Sequence, residues 1–230
     1  MDFEIYLAVT GAELALASQK QKPLAWMGCQ LSAGGKGISG VPAALPPNSV
    51  LILTDQMPPQ GHDPQQVAQE LVDAAHQLNC SRILLDFQRP KSGAGNQIVN
   101  HILTLADRPV GVSEDYGEHF CCPVFLRPPP LWTALSDHLA PWKGRQIWLE
   151  AAQEDAVVTV TETGGHYTVC DHTGPYPFNS DKLQVAYRIE TAPDHLRVYL
   201  HRGSKELQAL LEEAKQLGIS TAIGLYQHLK

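Results

Sequence analysis

The sequence predicts a compact, distorted (β/α)8 barrel of the TIM type with β-hairpin additions. Three observations carry that expectation. Short apolar runs at 50–53, 83–85, 110–112, 124–126 and 147–149 read as buried strands. Amphipathic segments link the first three of them, and strand–helix–strand–helix–strand with short links implies parallel crossovers. No phosphate loop follows the first strand, where a doubly wound sheet normally carries one. At 230 residues the chain lies near the short end of the usual barrel length of about 250, so some helices should be missing. Residues 1–230 read as one domain, with 1–45 a β extension that either completes the barrel or decorates it.

Residues 3–9 alternate as a strand, 13–17 read as a return strand, and 23–31 as another. The glycine-rich stretch 34–40 lacks the G-x-x-x-x-G-K-[ST] order and reads as a flexible loop. After the strand at 50–53, Asp63 is a suitable N-cap and Pro64 a suitable first helical residue. Val67, Leu71, Ala74, Ala75 and Leu78 then share one helical face. A strand at 82–87 and a helix carrying Ile98, Val99, Ile102 and Leu103 follow, and Pro109 opens the next strand. Residues 131–139 read as a helix. Segments 156–162 and 166–170, around Thr163-Gly164-Gly165, form a hairpin. The βα rhythm then resumes with a strand at 196–201, a helix at 204–217 and a strand at 221–226.

Composition narrows the function. Apolar residues make up 43% and charged residues 18%, ordinary for a folded chain, and the net charge is -7. Without a cluster of Lys and Arg, nucleic acid is not an expected partner. No segment approaches the roughly 20 apolar residues of a membrane span, and the acidic start is unlike a secretory signal. A soluble, cytoplasmic protein is the expectation. Five cysteines at irregular spacing make no disulfide framework. No C-x-x-C or H-E-x-x-H pattern appears, so neither a metal nor another cofactor is expected.

The candidate site lies where the apolar runs stop. Asp55, Asp86, Gln88, Arg89, Glu114, Asp115, Arg127 and Glu150 follow strands whose C-terminal ends a parallel barrel gathers at one rim. Asp86 needs a partner if ionised at such a strand end, and Arg89 or Arg127 can supply it. Glu114 and Asp115 are adjacent, so only one can face the axis; Glu114 is preferred. Glu150 and Glu114 are the acid/base candidates, with Asp86, Gln88, Arg127 and Tyr226 binding substrate. Paired carboxylates across a cleft are what glycoside hydrolysis requires, at about 5 Å for retention and more for inversion. Tyr226 could stack on a sugar, and His201 could exchange protons near neutral pH. The plain alternative is a salt-bridge network at strand ends.

The run Asp86-Phe87-Gln88, the hairpin addition and the closing Gly224-Leu225-Tyr226-Gln227 resemble glycoside hydrolase barrels, above all the chitinase-type enzymes of family 18. That family's strand reads D-x-x-D-x-D-x-E, with the last Glu as proton donor. On that pattern Asp86 matches the last Asp, Gln88 stands at the donor position, and Leu84 and Ser81 replace the earlier acids. The resemblance implies a barrel that binds or hydrolyses carbohydrate. Because Gln cannot deliver a proton, it also admits a non-catalytic pseudoenzyme that binds an oligosaccharide, or an assembly protein. Whether the chain is an enzyme, and its oligomeric state, stay open at this point.

Overall fold

The computed structural model describes residues 3–19 and 22–229, and the chain divides into two compact units. The first takes the chain up to Arg127, then Gly144–Glu150 and the chain from Ser220 on. In order it carries β1 (Glu4–Val9), α1 (Leu14–Ser18), β2 (Leu24–Leu31), β3 (Ile38–Ser39) and β4 (Val50–Thr54). Next come α2 (Pro64–Gln77), β5 (Arg82–Asp86), α3 (Gly93–Leu105), β6 (Val110–Ser113), α4 (Glu114–Gly117) and β7 (Val124–Leu126).

Among the described residues, eight parallel strands close into a barrel in sequence order. The ring runs β1, β2, β4, β5, β6, β7, then β8 (Ile147–Ala151), and is completed by a last strand, Thr221–Leu225, that pairs back onto β1. The first 45 residues therefore complete the barrel, and β3 adds an antiparallel pairing on β2. Helices are sparse, as the short chain requires. No helix is described between β2 and β4, and α4 has only four residues.

Period-two alternation sorts each strand into two layers. Tyr6, Ala8, Ala25, Val50, Ile52, Leu84, Phe125, Trp148 and Ile223 form one buried cluster that draws on strands alone, the barrel interior. Leu51, Leu53, Ile83, Leu85 and Val112 pack instead with Val67, Leu71, Ile98 and Ile102 of α2 and α3. Gly111 is a necessary gap: a Cβ there would collide with the six-membered ring of Trp148. At the N-terminal end of the barrel Arg82 reaches Tyr6 and Glu4, closing the interior with a hydrogen-bonded ion pair.

Helix α2 starts where the sequence places it. Asp63 is extended, its side chain accepts a hydrogen bond from the Gln65 N–H at 3.0 Å, and Pro64 leads the first turn. Asp63→Ala is expected to cost about 1 kcal/mol, read as a lower denaturant midpoint with an unchanged slope. Burial pushes the Cys29 thiol up to about 12 and the Cys80 thiol up to about 11, so both behave as buried apolar groups.

The second unit comprises Pro128–Lys143 and Ala151–Ile219. It holds α5 (Leu135–Leu139), β9 (Glu154–Thr161), β10 (Gly164–Val169), β11 (Phe178–Ser180), β12 (Val185–Thr191), β13 (Leu196–Arg202) and α6 (Ser204–Gln216). Its strands make one antiparallel sheet in the order β10-β9-β13-β12-β11. The expected hairpin is β9 and β10. Leu131, Ala156, Val185 and Leu200 form its buried core. The barrel's last strand is thus β14 (Thr221–Leu225), followed by α7 (Tyr226–Leu229).

Three elements differ from expectation. Residues 13–17 hold the short helix α1 rather than a return strand, and only Ala17 of it is buried. The helix expected over 131–139 is confined to α5, because Ala134 is extended at φ -66° and ψ 147° and the residues before it form a turn, closed by the Thr133 N–H on the Pro130 carbonyl at 2.8 Å. Residues 196–201 belong to β13, antiparallel to β12 and β9, and not to the barrel. There Val198 and Leu200 alternate with Arg197, Tyr199 and His201, the pattern of a sheet buried on one face. No helix among the described residues is long and apolar enough to cross a membrane.

Candidate functional site

The alternation that fills the barrel interior also selects what stands at its C-terminal rim. Continuing each inward series by one step reaches Thr54 from Ile52, Asp86 from Leu84, Arg127 from Phe125, Glu150 from Trp148 and Leu225 from Ile223. A largely polar ring crowns an apolar interior. It offers the mixed donors and acceptors that fix a polar ligand.

Asp86 and Gln88 are the best-defined pair. The Gln88 Nε2 donates to Asp86 Oδ2 at 3.2 Å. Burial pushes the Asp86 carboxyl above its ordinary value and the charge of Asp55 adds to that, while the Gln88 hydrogen bond and the Arg127 guanidinium oppose it. With the Gln88 amide nitrogen turned to the carboxylate, its Oε1 is oriented as an acceptor. The pair therefore presents oxygens suited to hydroxyl or amide donors.

The turn behind this pair is tied on two sides. Asp55, 2% exposed, accepts from the Gln88 N–H at 2.8 Å and the Arg89 N–H at 3.0 Å. Arg89 returns the contact, donating through Nε to the Asp55 carbonyl at 2.8 Å and through Nη2 to the Gln56 carbonyl at 2.7 Å. From β6, the Ser113 hydroxyl donates to the Phe87 carbonyl at 2.8 Å. Arg89 is thus engaged with the 55–56 backbone, and the Arg127 guanidinium is the smallest of the influences on the Asp86 carboxyl.

The remaining candidates are placed as follows. Glu150 is half-buried near the end of β8, on the side of Trp148. Ser113 holds the axis-side position of β6, and Glu114 follows it as the half-buried first residue of α4. Tyr226 opens α7 and packs, half-buried, against the layer shared with α2 and α3. In the second unit the His201 Nδ1 lies 2.5 Å from Asp155 Oδ1, with the Tyr176 ring stacked on the imidazole at 4.6 Å. Arg202 is wholly buried there and donates to the Pro129 carbonyl at 3.0 Å. Among the described residues no three His, Cys, Asp or Glu side chains are grouped as metal ligands. Thr54 and Trp148 escape sequence reasoning about charged strand ends, although the alternation through Ile52 and Glu150 carries the signal for both.

No family model matches the chain, and no curated protein matches it. Solved structures do. The spore cortex-lytic enzyme SleL of Bacillus megaterium QM B1551 is 12% identical, with a TM-score of 0.54 over 100% of this chain and 71% of that one. A chitinase of Chromobacterium violaceum ATCC 12472 is 11% identical, with a TM-score of 0.58 over 99% of this chain and 95% of that one. The GH18 chitinase of Cycas revoluta, crystallised with (GlcNAc)3, is 9% identical, with a TM-score of 0.59 over 98% and 96%. The likeness is one of fold. It matches the glycoside hydrolase family 18 resemblance read from Asp86 and Gln88, and barrels of this kind host many chemistries.

Proposed function

We propose that this protein binds a saccharide at the C-terminal mouth of its barrel and does not hydrolyse it. Asp86, Gln88, Arg127 and Glu150 are its binding groups. The observation that carries the reading is the Asp86–Gln88 pair: an amide donates to the carboxylate at 3.2 Å where the family pattern has a second acid. An amide can hold that geometry and bind hydroxyls, but it has no proton to give a departing glycosidic oxygen. Chito-oligosaccharides are the first probe, because a neighbour of the same fold was crystallised with (GlcNAc)3.

A hydrolytic reading has one observation in its favour, the position of the Glu150 carboxylate on the interior-facing side of β8. In that reading Glu150 and Glu114 divide the acid and base roles, and Asp86 orients the sugar.

Thermal unfolding with (GlcNAc)3, (GlcNAc)4 and other oligosaccharides, alongside a reducing-end assay, separates the two. Binding is expected to stabilise the fold by about 2.7 kcal/mol at 100 times the dissociation constant, with no new reducing ends. No shift with any saccharide would reject the binding site. Product formation would reject the non-hydrolytic reading, and Glu150→Gln should then lower turnover by about a hundredfold or more.

A further inference from the structure

We propose that Asp55 is a positioning residue of the saccharide site: its buried carboxylate clamps the Gln88 and Arg89 backbone and so aims the Gln88 amide at Asp86. The inference rests on the reading of Asp86 and Gln88 as the binding pair, and it adds a residue that reaches the ligand only through another. Asp55 ends the β4 side of the rim, yet its side chain does not present itself to solvent; it is 2% exposed. Each carboxylate oxygen takes one backbone N–H, Oδ1 from Gln88 at 2.8 Å and Oδ2 from Arg89 at 3.0 Å. Two neighbouring N–H groups held by one carboxylate fix the backbone of the turn at two successive points, and such charge-assisted bonds are the strong ones. Arg89 locks the same turn from the other direction through the Asp55 and Gln56 carbonyls.

The consequence falls on Gln88. Its side chain is exposed and, among the described residues, donates one hydrogen bond, to Asp86. An exposed glutamine otherwise samples several rotamers; with its N–H anchored, the amide starts from one direction. Ser113 braces the preceding carbonyl, of Phe87, at 2.8 Å. Three consecutive residues of the turn, Phe87 to Arg89, are therefore held by strands on either side of β5.

Two effects of Asp55 on Asp86 oppose each other, and that makes the proposal testable. The negative charge of Asp55 raises the Asp86 pKa, and the Gln88 hydrogen bond lowers it by more. In Asp55→Asn the charge is gone and the side-chain NH2 faces an N–H it cannot accept. If Asp55 positions Gln88, the Gln88 bond loosens and the Asp86 pKa moves up, as it must in Gln88→Ala. If Asp55 acts by its charge alone, the Asp86 pKa moves down. Carbon-detected NMR titration of the Asp86 carboxyl in wild type, Asp55→Asn, Gln88→Ala and the double variant reads this directly. The expected result is an upward shift in Asp55→Asn that the Gln88→Ala background abolishes; a downward shift in both backgrounds overturns the proposal.

Should Asp55→Asn fail to fold, the wild type still decides. The Gln88 and Arg89 backbone amides, both held by Asp55, are expected to be protected from hydrogen exchange, and the Gln88 side chain to show scalar couplings of a single χ1 rotamer; rotamer-averaged couplings at Gln88 overturn the clamp. Asp55→Asn is further expected to weaken (GlcNAc)3 binding by about tenfold, and unchanged affinity counts against positioning. Absence of (GlcNAc)3 and other saccharide binding in the wild type would reject the binding site, while the titration would still judge the clamp.

Discussion

Trp148→Ala is expected to lower the melting temperature by roughly 6–20 °C, from a loss of about 3–5 kcal/mol. Trp148 is fully buried in the barrel interior, where it packs with Leu84, Phe125 and Ile223. It also covers Gly111, whose missing side chain leaves room for the ring. A closed ring of hydrogen-bonded strands cannot collapse far enough to refill the space of an indole, so most of the cavity term survives. The indole N–H has no hydrogen-bond partner among the described residues, so truncation removes packing and orphans no acceptor. Gly111→Ala strains the same contact from the opposite side and should cost about 1–3 kcal/mol by overpacking. A calorimetric drop of less than about 2 °C in Trp148→Ala would mean that the indole does not pack the barrel.

Asp86→Ala is expected to weaken saccharide binding by about ten- to a hundredfold, the loss of a hydrogen bond to a charged group. It leaves the Gln88 amide without its partner, so two binding groups are lost together. The same residue makes a separate statement about stability. Burial raises the Asp86 pKa above its unfolded value, so its favourable contribution is fully present below the unfolded pKa of about 3.9 and is lost as pH rises through the folded pKa. At neutral pH the fold carries a desolvated carboxylate. Asp86→Asn should therefore raise the melting temperature at pH 7, and that advantage should vanish on acidification below the unfolded pKa. A variant that binds saccharide less well while folding more stably is the mark of a residue kept for function. Unchanged isothermal titration curves in Asp86→Ala would remove the carboxylate from the site, and a lower melting temperature for Asp86→Asn at pH 7 would show that its hydrogen bond outweighs its burial.

The legible parts of this molecule are those decided within a few residues. Helix α2 is written in Asp63, Pro64 and the stripe from Val67 to Leu78, because capping and amphipathic spacing act over one or two turns. The barrel strands are legible from short apolar runs ending in charge. The sequence offers Arg89 or Arg127 as the partner of Asp86, whereas in the structure the Gln88 amide, two residues on and on the same side of the strand end, donates to it. The 196–201 segment was not legible in the same sense. Its alternation announces a strand, but whether that strand joins a barrel or an antiparallel sheet depends on partners from distant parts of the chain.

Local patterning carries the barrel strands between 50 and 149, the start of the capped helix and the chemistry available at the strand ends. Long-range pairing alone closes the ring with the first two strands, sets Trp148 over Gly111, and turns Asp55 inward to hold Gln88 and Arg89. The bonds that hold Asp55 inward join residues 33 and 34 positions apart. Propensity and periodicity act along the chain over a few residues. A buried carboxylate is satisfied by whichever N–H groups the folded backbone brings to it, and those are chosen by strand pairing across the barrel.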